Sequence, residues 1–351
     1  MNKGRSKMRK TSLLALLFTV PLAAFPGCKT SPSQAHQPIP PGGSDVQGAD
    51  IQIEIPGGAS SFDIPIPSTL LTYDLQVGAL SSERAVAEAR KFGIEGQAQI
   101  EPSEQRIRVQ SGDSVCDLNL VLGSVFFQNV PAMSGDNGVT PAPSGSQITS
   151  SPPPDPAVPS EESSKQLAQE YLKGIQLDGV GEPKFFQANY LVESHSDKAT
   201  IIRREIVYRR YLNDRIVLGP GSQVSVFIGD KGKIIGCFLD WPSLREGKSV
   251  SLKKGGKALE NLRAKLAEIS QLDQFYRYRS FKVLEIQLYY LGQIIPDKQR
   301  IIVPAYGVKG IADRGQGLVN DMVMLTASDE ATVILPKTEI EPANEVPSQA
   351  Q

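Results

Sequence analysis

Histidine is almost missing from this chain. There are two in 351 residues, His36 in the expected tether and His195 in an expected turn between strands. His195 lies in Glu193-Ser194-His195-Ser196-Asp197, where neighbours so close in sequence cannot adopt a Ser/His/Asp triad with one another. Cysteine is equally scarce, at three residues, and no Cys-x-x-Cys or Cys/His cluster marks a structural metal. His-Glu-x-x-His, Gly-x-Ser-x-Gly and Walker loops are all absent. No catalytic residue, metal ligand or cofactor-binding residue is therefore expected. Asp230-Lys231-Gly232-Lys233 lacks the further oxygen ligands of a calcium loop and reads as a hairpin turn. Gly219-Pro220-Gly221-Ser222 has no following lysine or helix and reads as a corner.

What is present begins with a basic start. Lys3, Arg5, Lys7, Arg9 and Lys10 precede an apolar stretch, Thr11 to Ala24. That stretch is too short to span a bilayer as a stable helix. A basic segment, a short apolar core and a small residue before the cut form a secretory signal. The sequence ending at Gly27-Cys28 resembles a bacterial lipobox, although Phe25 and Pro26 depart from its usual residues. The resemblance implies lipidation of Cys28 and anchoring to a bacterial membrane. Each buried methylene of the lipid contributes about 0.8 kcal/mol. Removing residues 1–27 takes 5 of the 37 basic residues and none of the 38 acidic ones, leaving 32 against 38, a formal −6. That balance speaks against nucleic acid as a partner. Cys116 and Cys237 remain. They form either one disulfide or two small buried hydrophobes.

Residues 28–69 form an expected tether, rich in Ser, Pro and Gly at its start. Residues 70–130 read as a first α+β module. A helix is capped by Ser81 or Ser82, carries Ala85, Ala89 and Phe92 on one face, and stops at Gly93. Residues 131–162 read as a Pro/Ser/Gly-rich linker. A second module, 163–250, opens with a helix bearing Leu167, Tyr171, Leu172 and Ile175. A third, 251–335, opens with Leu259, Leu262, Leu266 and Ile269. Residues 336–351 form an expected disordered tail. The fold class predicted is α+β: repeated modules of one helix packed on a small antiparallel sheet.

The centre of the second module is a strand–turn–strand, Gln223 to Gly236. Val224, Val226 and Ile228 share one face by their spacing of two and are expected to meet the helix of Leu167, Tyr171 and Ile175. Phe227 shares the Ser225 face, which suggests cover there too. Trp241 closes this unit and is expected to seal two modules together. Arg203-Arg204 and Arg209-Arg210 are expected to form a solvated edge that discourages strand pairing, in preference to an anion site.

The segment QVSVFIGDKGKIIG resembles PepSY-like modules and the related propeptide modules of thermolysin-type metalloproteases. The resemblance covers residues 163–327 and, more faintly, 70–130. It implies a binding or regulatory module outside the membrane. The functional expectation is an exported, lipid-anchored, non-catalytic binding or regulatory protein with an envelope protein as partner. The alternatives are a structural envelope spacer and a hydrolase with dispersed active-site residues.

Overall fold

The computed structural model describes residues 51–134, 147–149, 158–175, 177, 179–195, 198–272, 277–294, 300–315 and 317–330. Cys28, the signal peptide and residues 331–351 lie outside them. No described helix is long and apolar enough to cross a membrane.

Local rules are obeyed at the helices. In α1 (Ser82–Lys91), the Ser81 hydroxyl accepts from the Arg84 N–H, and Glu83 sits in the first turn, where the helix dipole favours it. Its far end is a Schellman motif: Ile94 N–H reaches Ala89 O and Gly93 N–H reaches Arg90 O. Gly93 supplies the positive φ, 73°. The other helices are α2 (Val130–Ser134), α3 (Glu161–Ile175), α4 (Gly255–Leu259) and α5 (Leu262–Leu272).

The strands do not divide into modules. Among the described residues, strand accounts for 51 % and helix for 23 %. All 16 strands belong to one continuous sheet, which curls into a half-barrel. In chain order they are β1 (Gln52–Glu54), β2 (Thr69–Gln76), β3 (Ala98–Glu101), β4 (Arg106–Ser111), β5 (Ser114–Asn119), β6 (Val125–Asn129), β7 (Gln147–Thr149) and β8 (Glu182–His195). There follow β9 (Lys198–Leu212), β10 (Arg215–Leu218), β11 (Gln223–Ile228), β12 (Ile234–Asp240), β13 (Ser243–Ser251), β14 (Ser280–Ile294), β15 (Arg300–Asp313) and β16 (Leu318–Thr326). Across the sheet the order is β13-β2-β15-β14-β10-β9-β11-β12-β6-β5-β4-β3. Strand β16 lies beside β15, β1 beside β14, and β8 and β7 beside β9 in turn.

The expected repeat of one helix on a small sheet is thus overturned, and with it the PepSY-like reading. Strand β2, expected in the same module as α1, pairs with β13 and β15, with Leu70 opposite Val250 and Tyr73 opposite Ile302. The segment resembling PepSY hairpins, β11–β12, is flanked by β9 on one side and β6 on the other. The reason is physical. Periodicity reports which side of a strand is buried, but not which strand supplies its hydrogen bonds.

Two cores sit on this one sheet. In the first, α1 and α3 pack on β4, β5, β9, β11 and β12, with Ile107, Leu118, Ile206 and Val226 at the centre. In the second, α4 and α5 pack against β2, β14, β15 and β16, around Phe281, Tyr290, Tyr306 and Leu266. Strand β10 joins them, antiparallel to β9 and parallel to β14. It is turned into place by Asn213 and Asp214, at φ 48° and 59°. Both central residues at positive φ define the I′ hairpin.

Val224, Val226 and Ile228 lie in the first core with Leu167, Tyr171 and Ile175. The opposite face is covered as well. Ser225 is 1 % exposed, and Phe227 meets Phe126 edge-to-face at 6.0 Å.

Candidate functional site

Besides the passage from β2 to α1, the chain meets the boundary between the two cores at two neighbouring places. One is the Gly219-Pro220-Gly221-Ser222 corner, which carries β10 back to β11. The other is Asp240-Trp241-Pro242-Ser243, which carries β12 across to β13. A buried carboxylate ties them: Gly221 N–H donates to Asp240 Oδ2 at 2.7 Å. Arg210 Nη2 donates to Pro242 O at 2.8 Å, and the Arg210 N–H donates to Ser222 O at 2.9 Å. Glycine is required at the corner. Gly221 has φ +82°, and a Cβ there would lie 2.1 Å from Leu75 Cδ2.

Beside these crossings lies a cleft of about 410 Å³, with Trp241 in its wall. Its other walls come from both halves: the end of β2 (Gln76), helix α1 (Arg84, Glu88 and Lys91) and the end of α3 (Ile175). Arg84 spans two backbone carbonyls, Gly78 O at 3.1 Å and Gly123 O at 3.2 Å. Lys91 pairs with Glu88 at 3.0 Å. A second groove, about 580 Å³, runs between α3 and β8 and is lined by Lys173, Lys184, Phe185 and Tyr208. Leu177 borders both hollows.

The arginine pairs of β9 correct the sequence reading. They do not form a solvated edge, because β9 is central, with β8 on one side and β11 on the other. Arg204, Arg209 and Arg210 are buried, Arg210 completely. Each arginine of the row has a neutral acceptor and an aromatic ring. Arg203 donates to Met133 O and lies over Phe227. Arg204 donates to Pro159 O and lies over Tyr190. Arg209 donates to Ser222 Oγ and faces Phe186. Arg210 donates to Pro242 O and stacks on Trp241, 4.2 Å from the ring. Cation–π contacts of this kind strengthen when desolvated. The signal available in the sequence was the company these arginines keep: in Ile201-Ile202-Arg203-Arg204-Glu205-Ile206-Val207-Tyr208-Arg209-Arg210-Tyr211, apolar residues surround them on both faces.

Asp240 is the carboxyl that faces the inner end of this row. It is 4 % exposed. Burial raises its pKa to about 6, although the Gly221 N–H, Arg210, Arg300 and Arg209 all favour the charged form. Burial likewise lowers Arg210 to about 10, so it stays charged at neutral pH. Arg300 donates to Leu122 O in the loop that Arg84 also grips. Several donors remain unmet in this region: Arg209 Nε, Arg210 Nε and Nη1, and the Trp241 indole Nε1.

The two inner cysteines are free, buried thiols. Cys116 on β5 and Cys237 on β12 both stand opposite Phe127 on β6, one from each side. Two strand spacings put their Cα atoms roughly 9.5 Å apart, beyond the reach of a disulfide. Burial pushes the Cys116 thiol up to about 12 and Cys237 up as well. His195 ends β8 opposite Lys198. Asp230-Lys231-Gly232 is the tight turn between β11 and β12, with Lys231 at φ 54°. Among the described residues no cluster of His, Cys, Asp and Glu could hold a metal ion.

No family model matches the chain, and no curated protein matches it. Among solved structures, it is similar to an uncharacterized protein from Eubacterium rectale ATCC 33656. The identity is 10 %, the TM-score 0.45, and the match covers 81 % of this chain and 90 % of the other. A likeness at this level carries no functional information.

Proposed function

We propose that the protein is an exported, non-catalytic binding or regulatory protein of a bacterial cell envelope, held to the membrane by lipidated Cys28. In this reading it engages its partner at the cleft between the two cores. The supporting observation is the position of that cleft. Its walls belong to both halves of the sheet, and the chain crosses between halves directly beside it. A group bound there touches both halves at once, so occupancy can bias their arrangement. Concave sites of a few hundred cubic ångströms with a few placed polar groups are the usual geometry of ligand capture.

The experiment places a photo-crosslinking residue at Gln76, on the cleft, or at Ile100, 60 % exposed on the edge strand β3 and outside the cleft, in cells producing the lipidated chain. A discrete adduct from position 76 and none from 100 is expected. Adducts from neither position, in a chain that remains membrane-bound, would favour a spacer and defeat the binding reading. Replacement of Cys28 by Ser should release the chain from the membrane. A Cys28→Ser chain that still partitions with detergent after normal processing would refute the anchor.

A further inference from the structure

Resting on the cleft as the binding site, we infer that its ligand is anionic: a carboxylate or phosphate carried on a body that lies against the Trp241 indole. Charge in this region is segregated from that of the whole molecule. The chain without its first 27 residues has a formal −6, yet the cleft wall offers Arg84 and Lys91 against the single carboxylate of Glu88. The Glu88 charge is already taken by Lys91. Arg84 has only carbonyls as hydrogen-bond partners, so its charge faces the cleft uncompensated.

Behind this wall the excess continues. Arg210 stacks on the same indole that lines the cleft. Arg300 and Arg209 share with it one buried carboxylate, Asp240. The unmet buried groups here, Arg210 Nε and Nη1, Arg209 Nε and Trp241 Nε1, are all hydrogen-bond donors. These donors lie behind the cleft wall and add their positive field to it. With Glu88 paired to Lys91, the charge left over in the wall is that of Arg84, and a low-dielectric wall focuses such an excess into the opening. A cationic ligand would meet the repulsion of Arg84 and of the arginines behind the indole.

The only tryptophan in the chain is Trp241, so indole emission, excited beyond the tyrosine absorption band, reports on this site alone. The mature full-length chain is titrated at fixed ionic strength with an acidic hexapeptide with blocked ends, with glycerol 3-phosphate, with a lysine hexapeptide and with the neutral probe N-phenylnaphthylamine. A saturable change with the acidic peptide, the phosphate or both is expected, and the stronger of the two identifies the source of the oxyanion. Lys91→Glu should weaken that response about tenfold or more, and Glu88→Gln should strengthen it. Lys91 is exposed, and Glu88→Gln keeps the size and shape of a half-buried side chain, so both variants should fold. Arg84 is left intact because it ties two loops together. Saturation by the neutral probe alone would keep the cleft as a binding site and overturn its anionic character. Silence towards all four probes would overturn the anionic ligand, and the position 76 crosslink then decides independently whether the cleft binds at all. An acidic-probe response indifferent to Lys91→Glu and Glu88→Gln would also overturn it.

Discussion

Two regions of this protein are equally buried and built on opposite principles. In the first core, Val224, Val226, Ile228, Ile206 and Cys237 meet as aliphatic and thiol side chains, in register but for one shift between Phe227 and Ile228 in the β11–β12 pair. A few residues along the same strand β9, Arg209 and Arg210 are buried with Asp240 beneath the half-buried Trp241, and several donors of this group are unmet. The aliphatic core gains from burial, at roughly 25 cal/mol per Å² of apolar area. The junction gives up part of that gain, since a buried charge is costly unless it is paired and fully hydrogen-bonded. A fold that only needed to be stable would do better with apolar residues at positions 209, 210 and 240. Polar burial concentrated at one place, beside a cleft, is where function is to be sought.

The largest effect should come from breaking the aliphatic side. Val226→Asp places an unpaired charge in the first core and should cost several kcal/mol, enough to rival the stability of the whole domain. Ser225→Asp should be nearly as damaging, because that face is also closed. Thermal melts decide this: a variant at 225 that melts with the parent would mean the Ser225 face opens to water.

Next comes the corner that holds the junction. Gly221→Ala combines a left-handed backbone with a collision against Leu75, so a loss of about 2–4 kcal/mol is expected in denaturant unfolding. Gly112 also has positive φ, 56°, but a Cβ there meets nothing within 4 Å. Gly112→Ala should therefore cost only about 1 kcal/mol. Equal losses at the two sites would remove close packing as the reason for Gly221.

A smaller effect sharpens the electrostatic side of the comparison. The folded protein holds the Asp240 proton more tightly than the unfolded chain does, with a pKa near 6 against 3.8. The stability this contributes is complete below the unfolded value and is lost as pH rises through about 6. Relative to Asp240→Asn, the parent should therefore lose on the order of 3 kcal/mol between pH 4 and pH 7. The asparagine can still accept from the Gly221 N–H. Parallel stability curves for the two proteins across that window would show that Asp240 titrates normally.

The smallest effect concerns the thiols. Cys116 and Cys237 should resist a thiol reagent such as dithionitrobenzoate in the native state and react on unfolding, since burial raises both thiols. Native protein that yields no free thiol even when unfolded would contradict the strand register that separates them.

Local features were legible in the residues alone. Ser81 and Gly93 delimit α1, Asn213-Asp214 makes a turn, and the spacing of Val224, Val226 and Ile228 marks a face that meets α3. Each depends on residues within a turn or two of one another, where backbone sterics and hydrogen-bond chemistry leave few choices. What stayed hidden was set by distant partners. Leu70 lies opposite Val250, and no pattern within 69–76 selects β13 and β15 over the strands next to α1. Because one sheet runs through both cores, β9 became central instead of an edge, and Pro159, Tyr190, Phe186, Trp241 and Pro242, brought over its faces, turned Arg204, Arg209 and Arg210 from solvated charges into buried ones. The cleft follows from the same choice. Trp241, Arg84 and Gln76 belong to three segments that come together only when β12 hands the chain to β13 beside β2. Strand pairing is a contest among all available edges, settled by the total burial of the finished sheet, and that total is a property of the tertiary structure.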